Sequence, residues 1–140
     1  MAYIDTSVLV AYYCPERLSR KAERVIGKAR PPVVSLLTEV EFCSALARKT
    51  RTGEMAPDSA SRILSVYRSH LEGGHYRIVP VGTAEYALAS EWISRFQTPL
   101  RTVDALHLAV AFSNDLVLIT ADEGLARSAR RFGVKHRLIS

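Results

Sequence analysis

The chain has 140 residues, of which 48% are hydrophobic and 24% charged. This composition is typical of a globular protein and argues against disorder, and the length predicts a single domain, residues 1–140, with one core. The formal net charge is +5, and 15 of the 19 basic residues are arginine. Arginine binds phosphate in a bidentate geometry, so the charge favours a nucleic acid as partner, although a basic face can also be simply solvated.

Membrane and export signals are missing from the sequence. No apolar run approaches the roughly 20 residues that cross a bilayer, and no basic segment followed by an apolar one opens the chain. The two cysteines, Cys14 and Cys43, have neither the spacing of a metal site nor further cysteines to build a disulfide framework. We therefore expect reduced thiols in a cytoplasmic protein that has no membrane partner.

Short apolar runs alternate with helical patterns along the whole chain. The first half predicts, in order, a strand at Ala2–Ile4, helices at Thr6–Tyr13 and Ser19–Ala29, a strand at Val33–Leu36, and helices at Thr38–Arg51 and Pro57–Leu71. The second half predicts a strand at Tyr76–Val79, helices at Thr83–Phe96 and Val103–Ser113, a strand at Val117–Thr120, a helix at Glu123–Phe132, and an edge strand at Arg137–Ile139.

The predicted strands are short and are not interrupted by polar residues at every second position. Strands of this kind are buried on both faces, and their alternation with helices is typical of a parallel sheet. We therefore predict an α/β fold in which a parallel central sheet of four or five strands carries helices on both faces.

Four carboxylates lie in apolar surroundings beside the predicted strand and helix junctions. Asp5 follows the first strand, Glu41 lies in the first turn of the helix after the second strand, and Asp122 follows the strand that ends at residue 120. Asp104 lies in the first turn of another helix. In a parallel sheet the strand ends meet at one edge, so at least three of these acids converge there. Glu39, about 200° round the helix from Glu41, is expected to face solvent.

Two of the acids have a structural alternative at a helix start. Asp5 stands where an N-cap residue would stand. Asp104 is favoured in a first turn by the helix dipole, and Thr102 is the expected cap of that helix. Neither residue, taken alone, shows whether it serves as a helix cap or as a site residue.

The other two acids lie next to predicted capping boxes. Thr38 and Glu41 have capping-box spacing, which offers Glu41 a role in the helix alone. Thr120 and Glu123 have the same spacing, so Asp122, which could also be a cap, is expected to stay free for another role.

Four carboxylates at one edge repel each other at neutral pH, so they take up protons or bind a cation. Oxygen ligands suit Mg²⁺ or Mn²⁺, and no set of histidines and cysteines supports zinc. A carboxylate-held divalent ion beside an arginine-rich surface favours hydrolysis of phosphodiester bonds.

Four segments of the chain resemble the motifs of PIN-domain ribonucleases, and VapC toxins of bacterial and archaeal toxin–antitoxin pairs are the most similar type. The resemblance is carried, in order, by Tyr3–Leu9, Ser35–Leu46, Arg101–Ala109 and Leu118–Asp122. It implies a PIN-like three-layer sandwich. Residues 55–86 carry no family motif.

The resemblance also implies a function. A PIN-domain toxin is an endoribonuclease that depends on Mg²⁺, with Mn²⁺ as a substitute, and hydrolysis by in-line attack of water would leave a 5′-phosphate and a 3′-hydroxyl. Ser7, with its neighbour Thr6, and Thr120 match the family's hydroxyl positions beside the metal. The implied catalytic and metal-binding residues are Asp5, Glu41, Asp104 and Asp122, with Asp5 and Asp104 as the main ligands.

Partners follow from the same resemblance. RNA is the implied substrate, and the implied protein partner is a cognate antitoxin that occludes the acidic cleft. A homodimer or a toxin–antitoxin hetero-oligomer is expected. The motifs identify neither the RNA nor the interfaces, and they leave open whether one ion or two is bound.

Other residues near the motifs have weaker assignments. Arg101, beside Asp104, and Arg48 are candidate substrate-binding residues. His107 lies one turn after Asp104 and could approach the site, but a hydrogen-bonded packing role is favoured. Trp92 is expected in the core or an interface.

Three other functions are compatible with parts of the pattern. The first is a non-catalytic RNA-binding module with the same fold, but clustered carboxylates would not help such a module to bind a polyanion. A phosphoacceptor signalling domain needs a second acid near the first strand and a lysine after a late strand, and Lys135 follows a helix. A haloacid-type phosphatase needs an aspartate where this chain has Ser7.

Overall fold

The computed structural model describes residues 1–140 and contains five strands and seven helices. The strands are β1 (Ala2–Ile4), β2 (Pro32–Ser35), β3 (Arg77–Val79), β4 (Val117–Thr120) and β5 (His136–Leu138). The helices are α1 (Thr6–Tyr13), α2 (Ser19–Lys28), α3 (Leu36–Arg51), α4 (Pro57–Glu72), α5 (Thr83–Ile93), α6 (Thr102–Ser113) and α7 (Glu123–Arg131). All predicted elements are present. None of the helices is both long and apolar enough to cross a membrane.

The five strands form one sheet in the order β3-β2-β1-β4-β5, and every neighbouring pair is parallel. The first strand of the chain is therefore the central one. Tyr3 lies opposite Val33 of β2 and Leu118 of β4. This topology confirms the predicted parallel sheet and brings the ends of β1, β2 and β4 to the same edge.

Side chains of the sheet alternate between two apolar cores, as the pleat requires. Ile4 and Val34 belong to one cluster, which includes buried residues of α1, α2, α3 and α4. Tyr3, Val33 and Leu118 belong to the other, which includes buried residues of α5, α6 and α7. The result is three layers, with the sheet between two layers of helices.

Helix α5 is shorter than predicted, since it ends at Ile93 and not at Phe96. The Phe96 N–H still donates to the Ile93 carbonyl oxygen at 3.0 Å. Phe96 itself has a φ of 53°, in the left-handed region that closes many helices and that usually holds glycine or asparagine. Its side chain is 87% exposed. The chain therefore leaves the helix through a left-handed turn, and no proline at this position predicts it.

Two further expectations concern α6 and the core beside it. Thr102 was expected to cap α6 but is its first residue, and Arg101 occupies the N-cap position without a side-chain hydrogen bond to the helix. Trp92 is buried, as expected, and stacks on Phe132 with ring centroids 5.0 Å apart. This stacking joins α5 to the end of α7.

Candidate active site

A cleft of about 590 Å³ opens at the carboxyl edge of the sheet, and all four predicted acids line it. Asp5 follows β1 and Asp122 follows β4, while Glu41 and Asp104 lie near the starts of α3 and α6. The convergence expected from parallel topology is thus present in the structure. A single cleft receives side chains from both sides of the sheet.

Asp5 occupies the N-cap position of α1, but its side chain makes no capping hydrogen bond. Its Oδ2 atom accepts hydrogen bonds from Ser7 Oγ at 2.6 Å and Thr120 Oγ1 at 2.9 Å. The Ala121 N–H in turn donates to Ser7 Oγ at 2.9 Å. The two predicted hydroxyl residues therefore fix one carboxylate oxygen of Asp5 and tie the end of β1 to the end of β4.

Asp122 does cap α7, which corrects the prediction that it stays free of a capping role. Its Oδ1 atom accepts a hydrogen bond from the Leu125 N–H at 3.0 Å. Thr120 cannot form the expected box with Glu123, because its Oγ1 donates to Asp5 and accepts from the Asp122 N–H at 3.0 Å. One oxygen of Asp122 is used in the helix, and the other accepts no hydrogen bond from the protein.

Helix α3 begins at Leu36, two residues before the predicted start, which corrects the capping assignment around Thr38. Ser35 is the N-cap residue, and its N–H donates to Thr38 Oγ1 at 3.1 Å. Thr38 therefore serves as the third residue of a capping box that Ser35 opens. Glu41 takes no part in it, so its carboxylate is available to the cleft.

The Glu41 carboxylate is half-buried and held from two sides. Its Oε1 atom accepts hydrogen bonds from Thr6 Oγ1 at 2.8 Å and from His107 Nε2. Burial disfavours the charged form, but the hydrogen bonds from His107 and Thr6 outweigh it and lower the pKa of Glu41. Thr6, a predicted supporting residue, therefore acts on Glu41 and not on Asp5.

A buried polar network beneath Glu41 was not predicted. His107 has no exposed surface, and its Nδ1 lies 2.6 Å from the hydroxyl of Tyr3, which lies 2.8 Å from Ser35 Oγ. Burial lowers the pKa of His107, but the hydrogen bond to Glu41 and the neighbouring acids raise it overall. The packing role favoured for His107 is present, and the same side chain also reaches the site. The signal in the sequence was Tyr3, since a tyrosine in a buried strand needs a partner for its hydroxyl.

Asp104 differs from the other three acids because no protein group hydrogen-bonds to its carboxylate in the structure. It is half-buried in the first turn of α6. Burial and the nearby charges of Asp5, Asp122 and Glu41 raise its pKa. Its charge is therefore the least compensated in the cleft, which is the electrostatic condition that a bound cation relieves.

The unengaged oxygens suit a hard divalent cation. Asp5, Glu41 and Asp122 each have one oxygen held by protein donors and one that accepts no protein hydrogen bond, and Asp104 has two of the latter. One potential ligand atom each from Asp5, Glu41 and His107 lies within 4.8 Å of the others. Because both ring nitrogens of His107 are already engaged, the carboxylates are the better ligands.

The predicted basic residues have different positions. Arg48 is exposed and lines the cleft. Arg101, the N-cap residue of α6, is exposed and does not line the cleft. Glu39 faces away from the cleft, as expected, and forms an ion pair with Arg68 of α4 at 2.6 Å.

A protein-family model described as PIN domain matches residues 2–131 of the chain. The match spans all four acids and almost the whole fold. Among curated proteins, none matches the chain in sequence.

Several solved structures share the fold. VapC20 of Mycobacterium tuberculosis, described as a sarcin-ricin loop cleaving toxin, is 19% identical over 91% of this chain and 95% of its own, with a TM-score of 0.72. DNA-bound VapBC of Salmonella typhimurium is 17% identical over 98% of both chains, with a TM-score of 0.71. PAE2754 of Pyrobaculum aerophilum is 24% identical over 97% of this chain and 83% of its own, with a TM-score of 0.68.

Proposed function

Because the chain belongs to the PIN domain family, we propose that it is a metal-dependent endoribonuclease and the toxin of a toxin–antitoxin pair. The observation that carries the proposal is the cleft in which four carboxylates present oxygens without protein partners. The net charge of +5 suits a polyanionic substrate. VapC20, which has a similar fold, is described as a sarcin-ricin loop cleaving toxin.

The proposed cofactor is Mg²⁺, with Mn²⁺ able to substitute. Asp5 and Asp104 are the proposed main ligands, and Glu41 and Asp122 complete the site directly or through water. When bound, such an ion lowers the pKa of a water molecule and neutralises charge on the scissile phosphate.

The protein's own contribution is to hold the carboxylates in place before substrate arrives. Ser7 and Thr120 fix one oxygen of Asp5, and Thr6 and His107 fix one oxygen of Glu41. These hydrogen bonds orient the remaining oxygens and limit their movement. Support of this kind typically changes metal affinity or activity by roughly 10–100-fold.

The deciding experiment incubates the purified protein with transfer, ribosomal and messenger RNA in Mg²⁺, in Mn²⁺ or in EDTA. We expect cleavage with metal only, and its loss in Asp104→Asn and Glu41→Gln. Glu39→Gln is the matched control, because this acid lies on α3 but faces away from the cleft, and it should cleave as wild type does.

The results also separate the alternative function. RNA binding without cleavage in either metal would assign a non-catalytic RNA-binding module. Equal cleavage by wild type and Asp104→Asn would show that the four-carboxylate site is not the catalytic one.

The proposed protein partner is a cognate antitoxin that occludes the cleft. The proposed assembly is a toxin–antitoxin hetero-oligomer or a homodimer of the toxin. VapBC of Salmonella typhimurium supports this proposal, and so does a toxin–antitoxin complex from Klebsiella pneumoniae, which is 20% identical with a TM-score of 0.62. Co-expression should yield a complex that cleaves no RNA, with its size measured by light scattering.

Cys14 and Cys43 are free thiols, in keeping with the proposed cytoplasmic location.

A further inference from the structure

One face of α3 extends the cleft beyond the acids. Glu41, Ser44, Ala45, Arg48 and Arg51 all line the cleft, and each lies three or four residues from another of them, which places them along one side of the helix. Glu41 stands at the carboxylate end of this face. Arg48 and Arg51 stand two to three turns further along, so negative and positive charges are separated along a single helix.

The charges of these two arginines are not paired within the protein. Arg48 and Arg51 are exposed and form neither an ion pair nor a side-chain hydrogen bond in the structure. Lys49, between them, also lines the cleft, but its charge is paired with Glu54 at 3.2 Å. Cations near a helix C-terminus complement the helix dipole, which accounts for basic residues in this turn but not for their position on the cleft.

The facing wall of the cleft offers no such charge. Val10, Ala11 and Leu18 are apolar, and Glu16 is acidic. A polyanion in the cleft would be repelled by the four carboxylates and by Glu16. The unpaired cations on α3 are therefore the groups that favour its entry from this direction.

We propose that Arg48 and Arg51 bind backbone phosphates on one side of the scissile phosphate, so that the RNA strand runs along α3. The inference rests on the proposed ribonuclease function. With a helical rise of 1.5 Å, Arg48 lies about 10 Å and Arg51 about 15 Å along the axis from Glu41. These offsets suit the next few phosphates on that side of the reacting one. The contacts are to the backbone, so they position the strand without reading its sequence.

The test measures RNA binding apart from cleavage. Fluorescence anisotropy of a short fluorescein-labelled single-stranded RNA is recorded in EDTA at several salt concentrations, with wild type, Arg48→Ala, Arg51→Ala and the double variant. Arg62→Ala is the matched control, since Arg62 is exposed on α4 and lies outside the cleft. Melting temperatures confirm that every variant is folded.

We expect each single variant to weaken binding about two- to fivefold, as for exposed ion pairs. The slope of log K against log salt should fall by about 0.7 per lost phosphate contact, hence by about 1.4 in the double variant. Arg62→Ala should match wild type. An unchanged slope in the double variant, or no RNA binding by wild type, would overturn the inference. The unchanged slope is the result expected if the two arginines bind only a protein partner.

A parallel cleavage assay in Mg²⁺ separates this inference from the proposed function. Cleavage by wild type with an unchanged salt slope in the double variant would refute the role of Arg48 and Arg51 alone. A reduced slope without cleavage in any metal would support their role in RNA binding and refute the ribonuclease.

Discussion

The Tyr3 hydroxyl lies 2.6 Å from His107 Nδ1, which joins the central strand to α6 directly beneath the cleft. His107 Nε2 meets the Glu41 carboxylate, so the position of one proposed metal ligand is set by the middle of the sheet. A polar chain of this kind is stable in a core only when every member has a partner. Ser35 completes it at the other end.

Replacing Tyr3 with phenylalanine should lower stability without changing the shape of the core. The change leaves His107 Nδ1 and Ser35 Oγ without their shared partner, which typically costs about 1–3 kcal/mol for a buried group. Urea unfolding measures the loss. Tyr86→Phe is the control, since Tyr86 is 58% exposed and makes no side-chain hydrogen bond. Equal unfolding midpoints for the two variants would show that the network contributes nothing.

Ser7→Ala should weaken metal binding because it removes a hydrogen bond to Asp5 Oδ2 and the acceptor of the Ala121 N–H. We expect a loss of roughly 10–100-fold in Mn²⁺ affinity, measured by calorimetry, and a similar loss of activity at limiting metal. Ser44→Ala is the matched control. Ser44 lines the same cleft but forms no side-chain hydrogen bond, so its variant should bind Mn²⁺ as wild type does.

Asp104→Asn should raise the melting temperature of the metal-free protein at neutral pH. The raised pKa of Asp104 means that its charged form is disfavoured in the folded state. Between the ordinary and the raised pKa, the folded protein binds more protons than the unfolded chain, so stability falls as pH rises through that interval. The amide removes this cost. Thermal unfolding in EDTA measures it, with exposed Asp58→Asn expected to show no gain.

Mg²⁺ should offset the same electrostatic destabilisation by binding the charged carboxylate of Asp104. A cation that binds the folded state alone raises the melting temperature in proportion to the logarithm of its concentration. We expect a clear rise for wild type and a smaller one for Asp104→Asn. Identical rises in both proteins would place the bound ion somewhere other than at Asp104.

Phe96→Asn should stabilise the protein. A residue other than glycine in the left-handed region costs roughly 1–2 kcal/mol, and asparagine tolerates that region better than phenylalanine does. Because the Phe96 ring is 87% exposed, little packing is lost, and a gain of up to about 1 kcal/mol is expected in urea unfolding. Phe112→Asn, in the regular helix α6 and 51% exposed, should instead be neutral or destabilising.

Local patterns were enough to predict the elements and their parallel arrangement, but not the order of the strands in the sheet. The apolar runs at residues 2–4 and 117–120 have no polar alternation, which required a parallel sheet buried on both faces. That topology predicted where Asp5, Glu41 and Asp122 would meet. Their convergence therefore needed no knowledge of side-chain contacts.

Choices between competing hydrogen bonds were not predictable from spacing. Ser35 and Thr38 could each open α3, and Ser35 takes the N-cap position because the strand ends there. Thr120 had the spacing of a cap but turned toward Asp5, which left Asp122 to cap α7. In the second case the contact is between residues far apart in the chain, and such a contact leaves no local signature.

The central place of β1 has a consequence for synthesis of the protein. Asp5 follows the first strand of the fold, yet it is held by Thr120, 115 residues later in the chain. Until β4 has left the ribosome, the first strand lacks one of its two neighbours and the last carboxylate of the site is absent. A nascent chain therefore carries no assembled cleft before β4 and the segment that follows it have been made, so the site forms as one of the later steps in folding of this domain.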